Sequence, residues 1–349
     1  MIARSTIQPG EAIRPAMGVV QDPGAVLEAL APKAKALHRE IAKVIVGQEE
    51  IIAAALYALL ARGHCLLVGV PGLAKTLLVH SLARTLDLSF SRIQFTPDLM
   101  PSDITGTEIL EEDTATGHRR FEFIRGPVFG QVLLADEINR TPPKTQAALL
   151  EAMQEKTVTV AGKVYRLEEP FMVLATQNPI EQEGTYPLPE AQLDRFLFEL
   201  LVPYPTLEEE KCVVDQHSFT PLEHIQPVLG ADEILQFRSA IGEMPVAPNV
   251  IDYAVRLVRA TRPADDGQQF DYIKRWVRWG ASPRASQYLV LAGRARAACQ
   301  GRFNVACEDI AALAPLILRH RLIRTFHADA DGKTSDDIIN QLIEDVGRD

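Results

Sequence analysis

Disulfide chemistry is missing from this chain. Its four cysteines, Cys65, Cys212, Cys299 and Cys307, show no CxxC spacing. Neither a disulfide framework nor a zinc site is expected, and reduced thiols in a cytoplasmic setting are the reading. The histidines show no metal-ligand spacing. His64 reads as a strand-end residue and Cys65 as a small core residue. Basic charge is in deficit: the net charge is −10 and the pI is near 5.4. That balance argues against a nucleic-acid binder led by bulk charge. No apolar run approaches the roughly 18–20 residues of a membrane span. The densest apolar patch, Leu56-Tyr57-Ala58-Leu59-Leu60, sits inside an amphipathic helix. Residues 1–32 lack a basic start followed by an apolar core, so no signal peptide is expected. Their Pro, Gly and polar residues read as a loosely ordered extension.

What the chain does have is a sizeable supply of core. At 349 residues and 47% hydrophobic content it can build two domains. The apolar run Cys65-Leu66-Leu67-Val68 leads into Gly69-Val70-Pro71-Gly72-Leu73-Ala74-Lys75-Thr76, and a helix-period run to Leu86 follows. Strand, glycine-bearing turn, Lys-Thr and helix form the layout of a phosphate-binding loop. Free N–H groups at the helix start and the helix dipole favour negative charge at one spot. Lys75 adds a point charge for outer phosphates, and the Thr76 hydroxyl suits Mg²⁺. Ala74 stands where glycine usually precedes the lysine. Its Cβ predicts a negative φ there.

Two further apolar runs end in polar side chains. Val132-Leu133-Leu134-Ala135 delivers Asp136-Glu137. Buried parallel strands read as continuous apolar runs, and their C-terminal ends are where open α/β sheets bind ligands. Asp136 suits a nucleotide's Mg²⁺, and Glu137 suits a base for an attacking water. Phe171 to Gln177 delivers Asn178-Pro179, where Asn178 is able to hydrogen-bond that water or a γ-phosphate. Downstream lie Asp194-Arg195-Phe196 and Ser282-Pro283-Arg284, the latter opening a helix with Ser as N-cap and Pro at the first position.

The coarse pattern follows. Ile51, Ile52, Ala55, Leu56, Leu59 and Leu60 share one helical face. Strands at 64–68, 89–95, 131–136 and 171–177 alternate with helices, the signature of a parallel sheet with helices on both faces. Two hairpins interrupt it: 105–110 with 120–124 through Thr116-Gly117, and 157–160 with 163–167 through Ala161-Gly162. After Val202-Pro203-Tyr204-Pro205-Thr206 helices are expected at 207–217, 231–241, 248–260, 284–300 and 305–320. Lys274 to Trp279 reads as a lid helix with solvated arginine and packed tryptophan. The acidic tail from Ala328 reads as a short terminal helix.

Six ordered motifs carry a resemblance. They are Gly69 to Thr76, Leu134 to Arg140, Gln146 to Met153, Ala175 to Pro179, Leu193 to Phe196, and Ser282 to Ala285. The sequence resembles AAA+ ATPases of the MoxR family, in the helix-2-insert group, from about Leu37 to about Ile323. The resemblance implies a P-loop AAA+ α/β core at 36–205, after an extension at 1–35, and a helical lid at 206–349. It implies ATP and Mg²⁺ as cofactors. Gly69, Pro71, Gly72, Leu73, Ala74, Lys75 and Thr76 are similar to Walker A. Asp136 and Glu137 are similar to Walker B, Asn178 to sensor 1 and Arg284 to sensor 2. Arg195 resembles an arginine finger acting on a neighbouring subunit, with Arg140 and Arg125 as other candidates. Val46-Gly47-Gln48 resembles the segment that packs on adenine. The hairpins resemble the helix-2 and pre-sensor-1 inserts, which makes them candidates for substrate contact. A hexameric ring and a client protein, such as a von Willebrand factor A domain protein, are implied partners in a chaperone-like role. An assembly switch with little turnover and a nucleic-acid-directed motor stay open.

Overall fold

The computed structural model describes residues 22–112, 119–180, 184–215, 222–263 and 270–347. The turn through Thr116-Gly117, residues 1–21 and the expected helix end at 216–217 lie outside the described residues. Among the described residues three helices precede the sheet: α1 (Pro23–Glu28), α2 (Leu30–Ile41) and α3 (Glu49–Leu60). The next elements are β1 (Cys65–Val68), α4 (Lys75–Thr85), β2 (Phe90–Gln94), α5 (Pro101–Thr105), β3 (Gly106–Glu112) and β4 (Arg119–Arg125). Then come β5 (Val132–Asp136), α6 (Pro143–Glu155), β6 (Thr157–Val160), β7 (Lys163–Arg166), β8 (Met172–Gln177), α7 (Glu190–Leu193) and β9 (Phe198–Leu201). Beyond them lie α8 (Leu207–Asp215), α9 (Ala231–Glu243), α10 (Pro248–Ala260), α11 (Asp271–Trp276), β10 (Val277–Trp279) and α12 (Pro283–Cys299). The chain closes with α13 (Cys307–Leu318), β11 (Ile323–Arg324), α14 (Phe326–Ala330) and α15 (Ser335–Asp345).

Five strands form one all-parallel sheet in the order β2-β5-β8-β1-β9. Its central strands are apolar without alternation because both faces are covered. Successive residues still part ways. Cys65, Leu67, Leu134 and Leu174 enter the core shared with α2, α3, α4 and the C-terminal helices. Leu66, Leu133, Ala135, Val173 and Ala175 enter a second core under α5 and α6. The register pairs Val68 with Gln177, Ala135 with Ala175 and Gln94 with Asp136. The polar residues that close these strands therefore reach one edge together.

Both hairpins form. In the second, Ala161 (φ 48) and Gly162 (φ 79) occupy the two left-handed positions of a tight turn. Phe123 of the first stacks on Tyr165 of the second, with ring centroids 4.2 Å apart, so the hairpins lean on each other.

Three departures from the sequence expectations have local causes. Helix begins at Pro23, inside the segment expected to be loose: Asp22 caps it by accepting from the Ala25 amide, and Leu27 and Leu30 are buried. A fifth strand, β9, was not anticipated, because Phe198-Glu199-Leu200-Leu201 is short and offers no period of its own. The segment 274–279 is not one helix. It leaves helix at Trp276, and β10 pairs antiparallel with β11. Trp279 is 64% exposed rather than packed, while the Trp276 indole N–H donates to Asp331 at 2.8 Å.

His64 rivets the edge of β1. The Val173 amide donates to its Nδ1 at 3.0 Å, so the proton sits on Nε2, which donates to the Met153 carbonyl at 3.2 Å. Burial lowers its pKa to about 4 from an ordinary 6.5. A folded-state pKa below the unfolded value means that the unfolded chain binds the extra proton. The stability contributed is whole above pH 6.5 and is lost as pH falls toward 4, reaching about 3 kcal/mol. Urea unfolding at pH 7 and pH 4.5 is expected to show this loss, and His64→Gln to narrow it.

Candidate active site

The loop between β1 and α4 starts against β8, where the Gly69 amide donates to the Gln177 carbonyl at 3.2 Å. A Cβ at Gly69 would lie 2.9 Å from Val202 Cβ and 3.0 Å from its carbonyl oxygen, so this passage admits only glycine. Ala74 is left-handed, with φ 53, not negative as its Cβ predicts. It is the N-cap of α4, and its carbonyl accepts from the Leu78 amide at 2.9 Å. Swinging into the helix within one residue requires the left-handed turn, at roughly 1 kcal/mol for alanine. Lys75 follows, its Nζ arched back over the loop to the Gly69 carbonyl at 2.5 Å. Burial lowers the Lys75 pKa, and the nearby charges of Asp136 and Glu137 oppose that shift. Thr76 is half-buried beside it.

Opposite stand the carboxylates. Asp136 closes β5, and Glu137 is itself left-handed, with φ 57 and ψ 49. Asp136 accepts from the Thr176 hydroxyl at 2.6 Å and pairs with Arg92 at 2.7 Å. Glu137 accepts from Gln94 Nε2 at 2.8 Å and pairs with Arg140 Nε at 3.0 Å. Arg92 also donates to Gln94 Oε1 at 2.8 Å, which orients that amide toward Glu137. Sequence reasoning missed Arg92, Gln94 and Thr176 as site residues. Their signal is the register of β2 and β8 against β5, which the strand pairing supplies.

Asn178 is buried just past β8, beside Gly69 by register, and its Oδ1 accepts from the Ile180 amide at 3.1 Å. Val46, Gly47 and Gln48 lead into α3, and of the three Gln48 reaches the loop's other side. Gln48 Nε2 donates to the Leu73 carbonyl at 3.2 Å. Gly47 has φ +69, and a Cβ there would run into Glu209 of α8.

The arginines divide. Arg140 joins the carboxylates. Arg195 donates to the Leu150 carbonyl at 2.6 Å, beside a cavity of about 440 Å³ between α6 and α7. Arg125 lies over the Phe129 ring, 5.3 Å from its centroid. Arg284, 43% exposed, sits 3.5 Å from Asp194. The same carboxylate pairs with Arg321 at 2.7 Å. Asp194 lies in a sequence motif without a role of its own, and Arg321 stands outside every motif. Arg321 is 127 residues away along the chain, and only the packing of the short turn after α13 (Arg319–Arg321) against α7 brings the two together.

A phosphate-type loop after β1, adjacent carboxylates at the end of β5 on the far side of β8, and a helical lid define the class of AAA ATPases. Residues 64–198 match the ATPase family associated with various cellular activities (AAA), and residues 272–342 match the AAA lid domain. The chain is 45% identical over 322 residues to the chaperone MoxR1 of Mycobacterium tuberculosis, covering 91% of this chain and 84% of that one. Protein MoxR of Methylorubrum extorquens is 35% identical over 300 residues, covering 82% and 86%. A solved structure of a candidate ATPase from Cytophaga hutchinsonii shares 43% identity at a TM-score of 0.84, covering 93% of this chain and 97% of that one. The chain belongs to the MoxR family of AAA ATPases. Among the described residues no helix is long and apolar enough to cross a membrane.

Proposed function

We propose that this chain binds ATP with Mg²⁺ at the β1–α4 loop and hydrolyses it to ADP and phosphate. It would do so within a hexameric ring of its own copies, driving chaperone-like remodelling of a client protein. The observation that carries the reading is the meeting of Lys75, Asp136, Glu137 and Asn178 at one sheet edge. In this reading residues 36–205 are the ATPase core and 206–349 the lid.

The residues suit the cofactors. Mg²⁺ that arrives with phosphates needs only one or two protein oxygens, and Thr76 and Asp136 offer a hydroxyl and a carboxylate. Among the described residues no cluster of three or more His, Cys, Asp or Glu would hold a metal unaided. Gln48 Oε1 is buried without a partner, the kind of acceptor an adenine amine satisfies. Bound Mg²⁺ supplies charge neutralisation for the phosphates. Lys75 gives up the Gly69 carbonyl and presents its ammonium to the outer phosphates. Glu137 takes up the attacking water's proton as the water oxygen bonds to the γ-phosphorus and the bond from that phosphorus to the bridging oxygen breaks, its electron pair leaving with ADP. Asn178 holds that water in line, and catalysis is mainly positioning and charge. Arg195 of a neighbouring copy would stabilise the developing charge, and Arg284 would couple the lid to nucleotide state.

The client role rests on the likeness to a relative named as a chaperone, and a von Willebrand factor A protein as that client rests on the family resemblance alone. The test is ATP hydrolysis per subunit against protein concentration, with Arg195→Ala beside wild type. The rate per subunit is expected to rise with concentration, and Arg195→Ala to lose roughly 10²-fold or more while still binding ATP. A flat rate near background would favour a nucleotide-dependent assembly switch instead.

A further inference from the structure

One buried hydroxyl serves both acidic residues, one through its carboxylate and the other through its backbone amide. Thr176 is 1% exposed. Its Oγ1–H donates to Asp136 Oδ1 at 2.6 Å, and the same oxygen accepts the Glu137 amide at 2.8 Å. The register makes this possible. Ala135 lies beside Ala175, so Asp136 and Thr176 are the next pair along, and both fall on the α4 face of the sheet. The amide Thr176 receives belongs to a residue held at φ 57, a conformation that a glutamate adopts only when its surroundings impose it.

We infer that Thr176 is a positioning residue for the reaction: its hydroxyl aims Asp136 at the Mg²⁺ position and locks the backbone turn that aims Glu137 at the water. A hydroxyl at this point must donate and accept at once, which serine and threonine do and valine cannot. A threonine that merely filled the core would be replaceable by isosteric valine. Here that replacement leaves Asp136 one donor short and strands the Glu137 amide. Partners of this kind, one step behind a metal ligand, are typically worth 10–100-fold in metal affinity or activity.

This inference rests on the hydrolase reading, and the experiment separates the two. Full-length wild type, Thr176→Val, Thr176→Ala and Thr176→Ser are compared by steady-state ATP hydrolysis. ATP binding is measured by calorimetry in EDTA and across a Mg²⁺ titration. Thr176→Val is expected to lower kcat 10–100-fold and to raise the Mg²⁺ requirement at least several-fold. ATP affinity in EDTA should stay at the wild-type value, because Lys75 and its loop are untouched. Thr176→Ser should recover the wild-type Mg²⁺ titration and most of kcat. If valine does not fold, Thr176→Ala carries the same comparison. Valine or alanine within twofold of wild type in kcat and Mg²⁺ requirement overturns the inference and leaves the hydrolase reading standing. Serine as impaired as valine overturns it too, since the methyl packing would then be what matters. A wild type that neither binds nor hydrolyses ATP defeats both.

Discussion

Glu137→Gln is expected to stop turnover while leaving ATP binding intact. The substitution keeps the size and shape of the side chain and removes only its ability to take a proton. Correctly placed acid–base groups contribute about 10²–10⁴-fold, and kcat is expected to fall within that range. The fold should tolerate the change. The Glu137–Arg140 pair is partly exposed, and such pairs contribute about 1 kcal/mol or less. Lys75, Thr76 and Asp136 keep their partners, so ATP affinity with Mg²⁺ should stay within a few-fold of wild type. Phosphate release and calorimetry on the same preparation measure the two sides. Turnover near wild type would remove Glu137 from the base role.

Asp194→Ala is expected to destabilise the folded chain by about 3 kcal/mol, the low end for breaking a buried ion pair by removing one partner. Arg321 is the reason. Its side chain is 2% exposed. Burial lowers its pKa, and Asp194 is the main influence opposing that. The carboxylate is the guanidinium's counter-charge. Arg321 also donates to the carbonyls of Asp194, Phe196, Leu197 and Ile317 and lies over the Tyr288 ring. Those acceptors remain after the substitution and hold the loss near 3 rather than 5 kcal/mol. Urea unfolding at neutral pH reads it, and a loss under about 1 kcal/mol would mean that the carbonyls suffice alone.

Strand ends were readable because buried parallel strands advertise themselves: Val132 to Ala135 and Phe171 to Ala175 are unbroken apolar runs, and polar residues follow at once. The second hairpin was readable because Ala161-Gly162 is a local turn signal. What escaped is non-local. Thr176, Arg92 and Gln94 look ordinary until β2 and β8 are laid against β5, and pairing register is not written in any one strand. Asp194 and Arg321 meet only through the packing of α7 against the short turn after α13. Ala74 failed for a different reason. Local sterics argue for negative φ, and the demand of joining a strand to a helix over a tight loop overrode them. Glu137 adopts the same unfavourable conformation, so both left-handed turns border the carboxylate–lysine site.

Asp194 and Arg195 are chain neighbours with different allegiances. Asp194 grips Arg321 and sits near Arg284, whereas Arg195 reaches α6 through the Leu150 carbonyl. One planar peptide unit separates them. Arg321 also holds the Asp194 carbonyl, so the lid grips the backbone that carries the neighbouring guanidinium as well as the carboxylate. As a mechanical linkage this joint has a short backbone, since a single peptide unit joins the residue the lid holds to the residue α6 holds.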